Sequence, residues 1–348
     1  SLLVAPGYYY LTGNRTRTGV AGAVLRFDIG ASGSVVDCAG FTINSSPAYT
    51  AIGVDLYSSA TEVSHFRVVN CSFAHFDTGL QSQNTPGLIM TDTVFYDNWR
   101  YGAKVDVCMN CTLANNQFDN DRMHGIALGG ELNGTVLSNS TASYNDNTGI
   151  YIGDSGYALT IDNVTASYNS VGFRINLEYG LLSNVVAEHN SNYGVHLMNS
   201  AGHWNFSNSI LKFNGDSPSD EAGLFLESAF SNSFSDLDVS ENVGRGVFLL
   251  DADNNRFWNI TTNGNSGYGF YSDSDAENNL IQNSTSCNNL GDGFPFDYYI
   301  RALLDPASGE NTCGAAGTCG GHNCCAQNGV YHMCIPDAGG LGNCMYSC

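Results

Sequence analysis

One glycine recurs along the chain at nearly constant spacing, and each copy opens an alternating apolar pair. The series runs Gly53, Gly79, Gly102, Gly125, Gly149, Gly172, Gly194, Gly223, Gly246, Gly269 and Gly293, at intervals of 26, 23, 23, 24, 23, 22, 29, 23, 23 and 24 residues. A fixed period in this range marks a stacked repeat. Positions one and three after the glycine point to the same side of a strand. They hold Ile126/Leu128, Ile150/Ile152, Phe173/Ile175, Val195/Leu197, Leu224/Leu226, Val247/Leu249 and Phe294/Phe296. A strict period of two excludes helix and predicts a stacked interior.

A second series lies four residues before the glycine: Asn98, Asn145, Asn190, Asn242, Asn265 and Asn289, with Asn120 and Asn169 one residue to either side of that register. Asn tolerates the left-handed backbone and bonds its own main chain, so it suits a tight turn. Stacked amides can also bond along a ladder. Each coil is expected to carry a further short strand, such as Leu159-Thr160-Ile161. The 29-residue interval contains Asn214 to Glu221 and is expected to bulge from one turn as a loop.

This pattern resembles the pectate-lyase-like right-handed parallel β-helix superfamily over roughly residues 20 to 300, and Val35 to Ile43 resembles the opening coil of such proteins. The expected fold is all-β: a right-handed parallel β-helix of about 11–12 coils with a small disulfide-rich C-terminal module. The expected organisation is an N-terminal extended segment at 1–18 (a cap or an inter-subunit strand), the β-helix at 19–300 and the cysteine-rich module at 301–348.

Composition narrows the partners. The formal net charge is -21, with 12 Lys and Arg against 33 Asp and Glu. Such a surface repels nucleic acid, anionic membranes and polyuronate chains unless cations intervene. No apolar run is long enough for a membrane span. The 12 cysteines point to an oxidising compartment and a secreted, extracellular or cell-surface protein, with Ser1 expected to follow a removed leader. Cys38 and Cys71 share a local context and are expected to stack, and Cys108 is expected to pair with Cys111. Cys287 is expected to join the crowded tail cysteines Cys313, Cys319, Cys324, Cys325, Cys334, Cys344 and Cys348. N-glycans are expected at Asn14, Asn44, Asn133, Asn139, Asn163, Asn205, Asn259 and Asn283.

Chemistry on such a fold sits on the outward position two residues after the glycine. That row reads Lys104, Ala127, Tyr151, Arg174 and His196, with Arg122 and His124 on the turn before it. A lyase or C5-epimerase needs a base beside the substrate carboxylate and cations to hold the resulting anion. Tyr151, His124 or His196 could serve as base, while Lys104 or Arg174 neutralises a carboxylate. Mannuronan C5-epimerases resemble this fold and carry Tyr-Gly-Phe-Asp-Pro-His. The matching segments here, Tyr101 to Asp106 and His124 to Gly129, lack the Asp and the Pro-His.

Further along, the row becomes Phe225, Phe248 and Tyr271, an expected exposed aromatic stripe for interfaces, together with Tyr8, Tyr9 and Tyr10. Asp251, Asp253, Asp275 and Glu277 offer a Ca²⁺ site as the only cofactor suggested. With no complete catalytic motif, the leading expectation is a structural extracellular glycoprotein. It would be a subunit self-associating through its ends into a filament or other homopolymer. The alternatives are a polyuronate C5-epimerase or lyase, and a sugar-binding or adhesion module.

Overall fold

The computed structural model describes residues 2–3, 6–18, 22–27, 29–46, 49–57, 63–153, 157–199, 201–218, 220–273 and 275–290, with the strands Tyr298–Tyr299 and Leu303–Leu304 beyond them. Two compact units divide the chain, Ser1–Leu181 and Leu182–Cys348. Among the described residues no helix is long and apolar enough to cross a membrane.

Each unit is a stack of parallel coils. In the first unit, one sheet runs through Gly22–Phe27, Ala51–Tyr57, Thr78–Gln83, Tyr101–Asp106, His124–Gly129, Thr148–Ile152 and Val171–Ile175, every neighbour parallel and in register. A second sheet closes the coil with paired short strands such as Ile89–Thr91 and Val94–Tyr96. Where these merge, as in Val136–Ser143 and Leu159–Ser167, Asn139 and Asn163 bend the strand at φ 47° and 53°. In the second unit one sheet runs through Tyr193–Met198, Ala222–Glu227, Arg245–Leu250 and Phe270–Ser272, again parallel and in register.

The recurring glycines do not owe their place to unusual φ. A Cβ on Gly102 would stand 2.6 Å from the carbonyl oxygen of Gly125, and one on Gly125 would stand 2.8 Å from that of Gly149. Backbone presses on backbone from coil to coil, so any side chain is excluded there. The residues one and three positions later are buried as expected, Ile126, Leu128, Ile150 and Ile152 among them. Interior aromatics stack in file: Phe73, Phe95 and Phe118 lie 5.4 and 5.2 Å apart. Gly293, Phe294 and Phe296 lie outside the described residues.

The amide ladder is buried and continuous within each unit, but its register differs from the sequence reading. Asn98, Asp121, Asn145 and Asn169 form the rungs of the first unit. Asn120 stands outside, with positive φ, and Asn169 belongs. In the second unit the rungs are Asn190, Asn214, Asn242, Asn265 and Asn289. Asn214 keeps its rung while the expected loop leaves immediately after it, with the Glu221 carboxylate accepting the amides of Asp216 and Ser217.

Both expected early disulfides are present, Cys38–Cys71 and Cys108–Cys111. Cys287 is buried, and the seven tail cysteines lie outside the described residues. The N-terminal tyrosines form a strand. Tyr8–Tyr10 pairs in parallel with Val35–Asp37, and the Tyr8 hydroxyl donates to Asp37 at 2.6 Å. These residues therefore stack on the coil of Val35–Asp37.

Candidate functional site

The first sheet of the first unit turns outward a row in which Lys104, Ala127, Tyr151 and Arg174 stand on successive strands. Three residues earlier on the same strands, Tyr101 stands beside His124. Ala127 is the one small member, and across it the His124 ring reaches the ring of Tyr151. The two stack with centroids 4.9 Å apart and planes 9° from parallel. Tyr101 lies against the other side of His124 at 5.6 Å. Tyr101, His124 and Tyr151 are thus one aromatic cluster spread over three coils.

His124 is only 7% exposed, and its Nδ1 has no hydrogen-bond partner. Burial, helped by the positive charge of Arg174, lowers its pKa to about 4. The imidazole is therefore neutral in neutral solution, the form that can accept a proton. Lys104 holds Asp106 at 3.0 Å on the same strand. The Asp106 carboxylate leans over the next coil, because a Cβ on Gly129 would meet its Oδ1 at 2.9 Å. A partly open surface with a neutral base, two phenols and two cations is suited to proton transfer on an anionic substrate.

Several expected members stand elsewhere. Arg122, next but one to His124 in sequence, turns away to cover Trp99 and Tyr49, its guanidinium carbon 4.5 and 4.9 Å from their ring centres. Tyr49 in turn donates to Asp97 at 2.8 Å. His196 belongs to the second unit, where its Nε2 meets Glu227 at 3.0 Å and its ring stacks on Phe225 at 4.6 Å. Tyr101 and Asp106 were not among the expected site residues, because neither stands on the outward row two residues after a repeat glycine. The signal was available in the alignment of Tyr101 with His124 directly before the two glycines.

The expected exposed stripe is not one. Phe225 is 5% exposed and lies between His196 and Phe248. Phe248 meets Tyr271 edge-on, and Arg245 covers both rings at 4.1 and 4.2 Å. These rings spend their faces on each other. Two of the expected Ca²⁺ ligands accept hydrogen bonds within the fold. Asp253 accepts the amide of Glu277 at 2.7 Å, and Asp251 accepts from the Ser228 hydroxyl at 3.3 Å. Among the described residues no group of three His, Cys, Asp or Glu is placed to hold a metal.

The sequence matches the family described as right handed beta helix region over residues 29–156 and 78–225, together more than half of the 348 residues. The chain belongs to the right-handed β-helix family. Residues 177–291 of this β-helix also resemble the family described as periplasmic copper-binding protein NosD. No curated protein matches the sequence.

Among solved structures, the β-helix is similar to the mannuronan C-5 epimerase AlgE6 A-module of Azotobacter vinelandii. The identity is 14% and the TM-score 0.52, covering 88% of this chain and 83% of that one. It is similar also to a double mutant of the periplasmic alginate epimerase AlgG, at 12% identity and TM-score 0.50, covering 89% and 84%. At such identity the likeness is one of fold. Both of these structures are epimerases, of mannuronan and of alginate, and the expectation of a filament subunit is corrected on that ground.

Proposed function

We propose that this β-helix is a secreted or periplasmic enzyme that acts on an acidic polysaccharide by removing the proton beside a uronate carboxylate. The observation that carries the reading is the neutral His124 stacked on Tyr151, with Lys104 and Arg174 in the adjoining row. In this reading Lys104 and Arg174 bind the carboxylate and neutralise it, which acidifies the neighbouring C–H. His124 takes the proton as general base. Tyr151 or Tyr101 gives a proton to the leaving glycosidic oxygen. The C5–H and C4–O bonds break, a C4=C5 double bond forms, and the chain is cut with an unsaturated end.

Elimination is favoured over epimerisation by the contact between the rings. Epimerisation needs its proton donor and acceptor on opposite faces of the sugar. His124 and Tyr151 touch face to face, so no sugar fits between them. Both therefore meet the substrate from one side, as a same-side elimination requires. The expected compartment follows from the two disulfides.

The test is an assay on polymannuronate, polyguluronate and polygalacturonate for new ultraviolet absorbance from unsaturated ends. Exchange of the C5 proton with solvent is followed in parallel. Unsaturated product lost at least a hundredfold in Lys104→Ala and His124→Gln supports the reading. Exchange without unsaturation transfers it to epimerisation. No turnover of any uronate polymer overturns it.

A further inference from the structure

Asp121 occupies a rung of a ladder that is otherwise amide throughout the first unit. Its main-chain N–H donates to Asn145 Oδ1 at 2.9 Å, as the N–H of Asn98 and Asn145 donate to the rungs above them. Its Oδ1 accepts from the N–H and the Nδ2 of Asn98 at 2.8 and 2.9 Å. To this point Asp121 does what an asparagine does.

The other oxygen cannot, if the carboxyl is ionised. In the next rungs Nδ2 donates back to a main-chain carbonyl of the preceding coil: Asn145 to Phe118 at 3.1 Å, and Asn169 to Ala142 at 3.0 Å. Phe95, Phe118 and Ala142 are successive partners in register, so the carbonyl that corresponds for Asp121 is that of Phe95. An ionised carboxylate has nothing to donate there. As such its Oδ2 is buried with no hydrogen-bond partner, 2.5 Å from where a Cβ would stand on Gly102. The charged groups facing it are Asp97, on the turn carrying Asn98, and Asp119, at the end of Gln117–Asp119. Both are carboxylates and both oppose a further negative charge. Asn98, Asn145 and Gly102 bring no charge.

We propose that Asp121 is kept as the neutral carboxylic acid, its Oδ2–H taking the place of the ladder's amide nitrogen and donating to the carbonyl of Phe95. Deep burial, reinforced by Asp119 and Asp97, raises its pKa well above the usual carboxylate range. The proton then serves as a clasp between coils, set against Gly102 on one strand and three residues ahead of His124 on the next. Asp121 is a positioning residue: it touches no substrate, and it holds the turn from which His124 departs. The inference does not depend on the enzymatic reading, because it concerns a proton in the resting protein.

The sign of the pH effect follows from linkage. An unfolded Asp121 ionises near pH 4, whereas the folded one stays protonated far higher, so ionisation favours the unfolded chain progressively between the two values. Infrared spectra of the full chain at pH 7, wild type minus Asp121→Asn, are expected to show a protonated-carboxyl stretch that the variant lacks. Asparagine fits the rung, so the variant's Tm should match the wild type below about pH 4. Above that it should exceed the wild type by roughly 2 °C per pH unit. A titration of the wild-type band keeps the test independent of how the variant folds. Absence of the band at pH 7, or a Tm difference unchanged from pH 4 to 8, overturns the proposal.

Discussion

His124 combines burial, an unpartnered nitrogen and a neighbouring cation, and each disfavours its protonated form. In the unfolded chain the same imidazole titrates near 6.5. Acid therefore favours the unfolded state from about pH 6.5 down to about 4, where the folded pKa lies. Wild type should lose on the order of 3 kcal/mol relative to His124→Gln across that window, measured by urea unfolding at a series of pH values. At the same scale, Gly129 is the floor under Asp106. Gly129→Ala should push that carboxylate off and loosen its pairing with Lys104. The expected result is a several-fold rise in KM for a uronate polymer with Tm nearly unchanged. The flexible end of Asp106 can yield where a main chain could not.

Coil elements respond differently, because their contacts are backbone on backbone. Gly125→Ala places a methyl 2.8 Å from the carbonyl of Gly149, and neither strand can retreat without breaking its register. A loss of about 3 kcal/mol is expected on chemical unfolding. Asn145→Ala removes two side-chain donations and strands the amide of Asp121, for a similar loss of about 3 kcal/mol.

The glycine period was legible in the sequence because it is set by one hard contact, glycine against the next coil's glycine carbonyl, that recurs at Gly53, Gly79, Gly102, Gly125, Gly149, Gly194 and Gly246. The alternating interior was legible for the same reason. The ladder was legible as asparagine but not in register. Asn120 has the right letter next to the right place, and only the hydrogen bonds show that Asp121 carries the rung. The site was half legible. Lys104, Tyr151 and Arg174 share a row that period alone defines. Arg122 is near His124 in sequence, yet the turn sends it to Trp99. The aromatic row was read as exposed because sequence gives the side of a sheet, not whether neighbouring rings cover one another.

At the scale of the whole molecule, the described strands of each unit pair with those of the coils directly before and after them. In such stacks stability is close to a sum of nearest-neighbour terms. The Cys38–Cys71 bridge closes a span of 33 residues between adjacent coils. Its loss in Cys38→Ala/Cys71→Ala should cost about 3–4 kcal/mol in the first unit, read as a shifted urea midpoint.

The repeated rung also gives every side chain an address: a coil and a row. Residues 146–169 amount to one complete turn between equivalent rungs, Asn145 and Asn169. Excising them would splice Asn145 to Ser170 in phase, shortening the protein without a scar in the ladder. Tyr151 would leave with the excised turn while Lys104 and His124 stayed. Conversely, a constellation copied 23 or 24 residues along the chain keeps its internal geometry, since the scaffold beneath it is the same. Active surfaces on this molecule are thus transposable, and its length and its chemistry can be edited separately.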